Sequence, residues 1–168
     1  MKLDDVLTFF DVQHPNLPLI LLGISIGAAA VLDVTGVFTN CWIRIGKNCT
    51  GIVPFDSTEP AWLAVSSWML FISVGVMVIM IATYIVVIIE IRRRGYHITV
   101  RKWLLLIGIL FVLNVLLIIN PIVVIPCALS NYTNEKLGWS YWLTGIAIGA
   151  LFLVEFFRIR VKRQCTAT

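Results

Sequence analysis

The chain has 168 residues, of which 60% are hydrophobic and only 13% are charged, and its net charge is +4. Soluble domains are typically about half apolar and about a quarter charged, so this composition excludes an ordinary soluble fold and favours lipid as the solvent. Nine of the thirteen Lys and Arg residues stand in two short clusters beside hydrophobic runs. That pattern is typical of membrane topology and argues against nucleic-acid binding.

Four hydrophobic runs are long enough to cross a bilayer, whose hydrocarbon core needs about 20 apolar helical residues. The sequence therefore predicts an all-α membrane protein, with one domain over 1–168 that forms a four-helix transmembrane bundle. The predicted spans are 17–38, 61–90, 103–129 and 139–158, with outer loops 39–60 and 130–138 and an inner loop 91–102.

The distribution of basic residues predicts the orientation of the chain. Ten Lys and Arg residues lie on the side of the termini and the inner loop, and three lie on the other side. Because cytoplasmic segments carry the excess of Lys and Arg, we expect a multi-pass plasma-membrane protein with both termini in the cytoplasm. Glycosylation triplets at Asn48 and Asn131 both fall in the outer loops. Asn131 is the clearer site, because Cys49 occupies the middle of the Asn48 triplet.

Two of the four cysteines, Cys41 and Cys49, lie in the first outer loop, where an oxidising environment preserves disulfides. A metal or redox site is the alternative, but the loop has no histidine, no second cysteine pair and no CxxC. We therefore predict a structural disulfide. Cys165 follows the basic C-terminal cluster, a position suited to palmitoylation; prenylation and an unmodified thiol are the alternatives.

Four of the polar residues inside the predicted spans are singled out here, because such residues are functional hypotheses by default in a membrane. Asp33, near the outer end of the first span, is expected to be hydrated or to pair with a neighbouring helix; a partner contact or an ion path are the functional alternatives. Glu155 is expected to pair with Arg158. Asn114 and Asn120 are expected to form interhelical hydrogen bonds.

These polar residues predict no catalytic group, cofactor site or metal site. An enzyme is therefore not expected. An intramembrane enzyme or transporter built around Asp33 and Glu155 stands as a hypothesis from another class.

Two GxxxG patterns place small residues on one helix face, which allows close approach of helix backbones. They are Gly23 with Gly27 in the first span, and Gly145 with Gly149 in the fourth. We interpret them as the packing surface between these two spans. A homo-oligomeric face is the alternative.

Two motifs resemble those of the claudin, peripheral myelin protein, epithelial membrane protein and lens membrane protein superfamily. Gly-Val-Phe-Thr-Asn-Cys at 36–41, followed by Cys49, resembles the family's Gly-Leu-Trp-x-x-Cys…Cys signature, and Gly-Trp-Ser-Tyr-Trp-Leu at 138–143 resembles the opening of its fourth span. The resemblance implies a small extracellular sheet pinned by the disulfide above the bundle. Phe38 replaces the signature tryptophan, and the distance from Asp33 to Gly36 is too short for a full first hairpin, so the sheet is expected to be reduced.

Members of this superfamily are not enzymes. The resemblance implies an accessory subunit of a larger membrane protein, such as an ion channel or a receptor, bound through lipid-facing helix surfaces and the outer loop. The alternative is a cell–cell adhesion or barrier protein of the claudin or myelin type. Neither hypothesis requires a cofactor or a nucleic acid.

Overall fold

A computed structural model of the chain describes residues 16–45, 48–52, 61–129 and 135–167. In the described residues, four helices are long and apolar enough to cross a membrane. The helices are α1 (Leu17–Phe38), α2 (Ala61–Arg94), α3 (Ile98–Leu129) and α4 (Trp139–Ala167), and the strands are β1 (Ile43–Ile45), β2 (Asn48–Thr50) and β3 (Glu135–Leu137). The predicted class, a four-helix membrane bundle with a small sheet, is confirmed.

The connection between α2 and α3 is shorter than the predicted loop 91–102. Helix α2 continues to Arg94, whose side chain lies 3.4 Å from the carboxylate of Glu90. Gly95 then adopts a φ of 73°, and its N–H donates to the Ile91 carbonyl at 2.8 Å. This left-handed glycine is a common way to end a helix. Helix α3 begins three residues later, so α2 and α3 form a tight hairpin.

The helices pack in two main pairs, α1 with α4 and α2 with α3, and α3 also packs against α4. Their buried side chains form two clusters. The larger cluster occupies the middle and the end near the α2–α3 connection, which we call the inner end; it includes Leu22, Ile26, Met77, Met80, Leu104, Ile107, Ile118 and Leu151. The smaller cluster lies below the sheet, at what we call the outer end; it contains Val37, Trp42, Ile43, Ile52, Leu63, Leu70, Ile125 and Leu129.

The three strands form an antiparallel sheet in the order β2-β1-β3. In its register, Arg44 lies opposite Cys49 on one side and opposite Lys136 on the other. The predicted disulfide joins Cys41 to Cys49. Because β3 precedes α4 while β1 and β2 follow α1, the sheet joins both outer connections. Each strand has three residues, which agrees with the expectation of a reduced sheet.

Candidate functional site

The outer end of the bundle is organised around Trp42, which the sequence analysis did not single out. Its side chain is 0% exposed, and its Nε1 donates to the Gly36 carbonyl at 2.8 Å. Its ring meets Tyr141 of α4 edge-on, with the ring centroids 6.3 Å apart. Phe38, which replaces the signature tryptophan, is 49% exposed, so the buried indole at this end of the bundle is that of Trp42. The sequence feature that could have identified Trp42 is its position immediately after Cys41.

The start of the 138–143 motif fixes the first outer connection to α4. The Gly138 N–H donates to the Trp42 carbonyl at 2.8 Å, and the Ser140 N–H donates to the Cys41 carbonyl at 3.2 Å. Gly138 lies so close to the Cys41 carbonyl that a Cβ would have no room. The requirement for glycine at this position therefore comes from backbone packing.

Inside the membrane-spanning region, Asp33 is 0% exposed. The Ser73 hydroxyl of α2 lies 3.0 Å from Asp33 Oδ2 and 3.3 Å from Oδ1, and its single hydrogen is shared between this carboxylate and the Leu70 carbonyl of its own helix, at 2.7 Å. The sequence analysis left two possibilities for Asp33, hydration or pairing with a neighbouring helix, and α1 and α2 enclose the side chain. In the structure, Asp33 pairs with the neighbouring helix α2 through Ser73.

Glu155 is held by Arg158 on the same helix. The guanidinium donates from Nε to Glu155 Oε2 at 2.6 Å, from Nη2 to Oε1, and from Nη1 to the Leu104 carbonyl of α3 at 3.3 Å. This pair therefore also fixes α4 against α3.

Asp33 and Glu155 do not meet. Gly36 packs against Thr144, so Asp33 lies beside about residue 147 of the antiparallel α4. Glu155 is eight residues further along, or about 12 Å at the helical rise. In the described parts of the chain, no group of three His, Cys, Asp or Glu residues could hold a metal ion.

The expectation of interhelical hydrogen bonds from Asn114 and Asn120 is wrong for both residues. Asn120 is exposed on α3, and its Nδ2 donates to the Leu116 carbonyl of its own helix at 2.8 Å. Asn114 is fully buried, but neither its amide nitrogen nor its amide oxygen has a hydrogen-bond partner within the described ranges.

The interpretation of the GxxxG glycines as the surface between the first and fourth spans is also wrong. Gly23 packs against Tyr84 of α2, whose hydroxyl donates to the Leu19 carbonyl at 2.9 Å. A Cβ added at Gly27, Gly145 or Gly149 would meet no described atom within 4 Å. Helices α1 and α4 do pack together, but their close approach lies at Gly36 and Thr144.

Three of these glycines therefore face away from the bundle. Gly149 lies in the middle of a strip on α4 with helical spacing, which we call the α4 outer face: Trp142, Ile146, Gly149, Leu153 and Phe156. The four large side chains of this face are all exposed, from 43% at Phe156 to 63% at Trp142. Gly149 is a notch among them, where a second helix backbone could approach closely.

Three modification sites were predicted from the sequence, two for glycosylation and one for palmitoylation. Asn131 lies outside the described residues, and Asn48 belongs to β2. The Cys165 thiol is half-buried against the larger core cluster, within a helix that continues to Ala167. Glycosylation and palmitoylation remain predictions from the sequence.

Two comparisons with known proteins bear on the chain. A family model described as "Tight junction protein, Claudin-like" matches residues 11–165. No curated protein matches the chain in sequence.

Proposed function

This chain belongs to the claudin-like tight junction protein family, and from that premise we propose that it is a non-enzymatic accessory subunit of a larger membrane protein, such as an ion channel or a receptor. The α4 outer face is the proposed contact. The observation that carries this proposal is the open notch at Gly149, between large exposed side chains.

Exposed apolar side chains alone do not indicate a partner in a membrane, because lipid tails solvate them. An exposed glycine in a spanning helix, in contrast, can indicate a partner. Inside a helix it costs roughly 1 kcal/mol relative to alanine, and at Gly149 no contact within the described bundle offsets that cost. Small residues at helix–helix interfaces in membranes offset it through backbone approach and van der Waals contact. A partner helix on the α4 outer face would provide that contact.

The form of the outer layer also supports a role within the membrane. Strands β1, β2 and β3 have three residues each, and β3 supplies one edge of the sheet by joining the second outer connection to the first. The disulfide and the contacts of Trp42 and Gly138 hold this layer to the helices. A small sheet held to the helices in this way would let a subunit contact a neighbouring protein through its spanning helices and its sheet.

We place the inner end in the cytoplasm of a plasma-membrane protein. Arg92, Arg93 and Arg94 end α2, and Arg101 and Lys102 lie in the first two turns of α3. Helix α4 carries further Lys and Arg residues at the same end. The disulfide lies at the opposite end, where an oxidising compartment would preserve it.

The test is co-purification from native membranes in a mild detergent, comparing Gly149→Leu with Gly75→Leu. Gly75 on α2 is an equivalent notch, an exposed glycine in a spanning helix with no described atom within 4 Å of an added Cβ, so the comparison decides which of the two faces a partner covers. Both variants leave internal contacts intact. We expect a larger membrane protein to co-purify in fixed stoichiometry with the unmodified chain and with Gly75→Leu, and to be lost with Gly149→Leu.

Two results would contradict the proposal. One is self-assembly without any larger partner, which is the behaviour of an adhesion or barrier protein. The other is a partner that Gly149→Leu and Gly75→Leu retain equally, since the contact would then not involve the α4 outer face.

A further inference from the structure

A groove between α3 and α4 is separate from the α4 outer face and has no role in the proposed function. It is open to the surface of the bundle and has a volume of about 510 Å³, within the usual range for ligand sites. Its lining is Leu105, Gly108, Ile109, Val112, Leu113 and Leu116 from α3, with Arg158 and Lys162 from α4. A second cavity, of about 310 Å³, continues from Leu105 to Ile98, Arg101 and Lys102.

The apolar wall of this groove has the length of one membrane leaflet. Leu105 and Leu116 are eleven residues apart, or about 16 Å at the helical rise. Half of a bilayer's hydrocarbon core is about 15 Å thick. The groove therefore extends from the inner end of the bundle to about the middle of the membrane, which is the depth that an acyl chain occupies.

The polar end of the groove is strongly positive. Arg158 is neutralised by Glu155 and also donates to the Leu104 carbonyl. Lys162, Arg101 and Lys102 have no ion pair or hydrogen bond with any described residue. Three cations with no ion pair to a described residue thus surround the opening at headgroup depth.

Gly108 allows the groove to reach Arg158. A Cβ at this position would lie 2.8 Å from Arg158 Cζ, so any larger residue would displace the guanidinium. The ion pair with Glu155 also holds the Arg158 guanidinium in position. The polar end is therefore built by specific packing between α3 and α4.

We propose that this groove binds one anionic glycerophospholipid from the leaflet at the inner end, with the headgroup phosphate at Lys162, Arg101 and Lys102 and an acyl chain along Leu105–Leu116. Basic pockets between spanning helices recognise anionic headgroups in this way. A zwitterionic lipid would bring its own cation to the same opening and would bind more weakly. The occupant is an ordinary membrane component, so the site can be filled without any protein partner.

The test uses the full chain in phosphatidylcholine nanodiscs containing a small fraction of phosphatidylserine, with retained lipid measured by native mass spectrometry. We expect selective retention of one phosphatidylserine. Lys162→Gln should weaken it about five-fold, since each cation near the surface contributes about that factor. Arg93→Gln is the matched control, because Arg93 is an exposed cation at the same end that does not line the groove.

A second pair of variants tests the apolar wall. Ile109→Trp should displace the lipid by filling the groove, whereas Val123→Trp, at an exposed α3 position outside the groove, should not. Equal retention of phosphatidylcholine and phosphatidylserine would overturn the proposal. So would an equal loss with Lys162→Gln and Arg93→Gln, or capture of a polypeptide rather than a lipid by a photocrosslinker at 109.

Discussion

Tyr141 of α4 donates its hydroxyl hydrogen at 3.2 Å to the carbonyl of Ile122, on α3. In a regular helix that carbonyl would accept from the N–H of residue 126, but 126 is a proline inside α3 and has no N–H. Tyr141 therefore satisfies a backbone acceptor that the sequence itself leaves open. The tyrosine belongs to the 138–143 motif, so this motif joins α4 to α3 as well as to the sheet.

Tyr141→Phe is expected to lower the free energy of unfolding by about 1 kcal/mol, the usual scale for a hydrogen bond between membrane helices. In a Pro126→Ala background the backbone N–H returns and can bond Ile122. The same Tyr141 substitution should then cost markedly less. Unfolding of the four variants in bicelles gives the coupling energy, and additive costs would show that the tyrosine does not replace the missing donor.

Ser73→Ala removes the hydroxyl that donates to buried Asp33, so it leaves the carboxyl without that partner in the described protein. Loss of a partner to a buried polar group costs about 1–3 kcal/mol, and we expect a loss of stability in this range. Ser66→Ala is the control, because the Ser66 hydroxyl bonds only the Trp62 carbonyl of its own helix, at 2.8 Å. Equal thermal stability of the two variants in detergent would show that the Asp33 pair contributes nothing.

Trp42→Phe should destabilise the outer end, because it removes the bond to the Gly36 carbonyl and leaves space in the outer core cluster. We expect a cost of about 2–4 kcal/mol from these two effects together. Phe38→Leu, at the position of the family's signature tryptophan, should change stability by less than about 1 kcal/mol, because Phe38 is half-exposed. Thermal unfolding in detergent compares the two, and a larger loss for Phe38→Leu would refute the assignment of Trp42 as the buried indole.

Glycosylation tests the orientation of the bundle. If the outer end faces the lumen during synthesis, Asn131→Gln should remove one glycan and increase gel mobility by the shift that one glycan causes. Asn48 should gain or increase its glycan when Cys49 is replaced by serine, since the disulfide no longer restrains the triplet. A chain that carries no glycan at Asn131, but is modified at an acceptor triplet engineered between α2 and α3, would reverse the orientation.

The sequence was sufficient for features that depend on local composition. The spans follow from runs of apolar residues, and the disulfide follows from two cysteines in one outer loop. The contacts of individual residues were harder to predict, because they depend on which helix faces which. Gly23 meets Tyr84 rather than α4, and nothing in the first span indicates Ser73 as the partner of Asp33.

Some residues could have been identified from physical rules alone. Because Pro126 has no N–H, the Ile122 carbonyl lacks its usual hydrogen bond within the helix, which predicts a donor from another helix. Asn120 shows the opposite case, since its amide bonds the carbonyl of Leu116 on its own helix instead of reaching across. A polar residue inside a span therefore does not identify its hydrogen-bond partner, and buried Asn114 has none within the described ranges.

The most direct test of the accessory-subunit proposal is photocrosslinking in native membranes from position 146, on the α4 outer face beside the Gly149 notch. Position 79, an exposed isoleucine on α2, is the control. The account predicts one crosslinked product from 146, containing a larger membrane protein in fixed stoichiometry, and none from 79. Crosslinks from 146 only to lipid or to a second copy of this chain would contradict it.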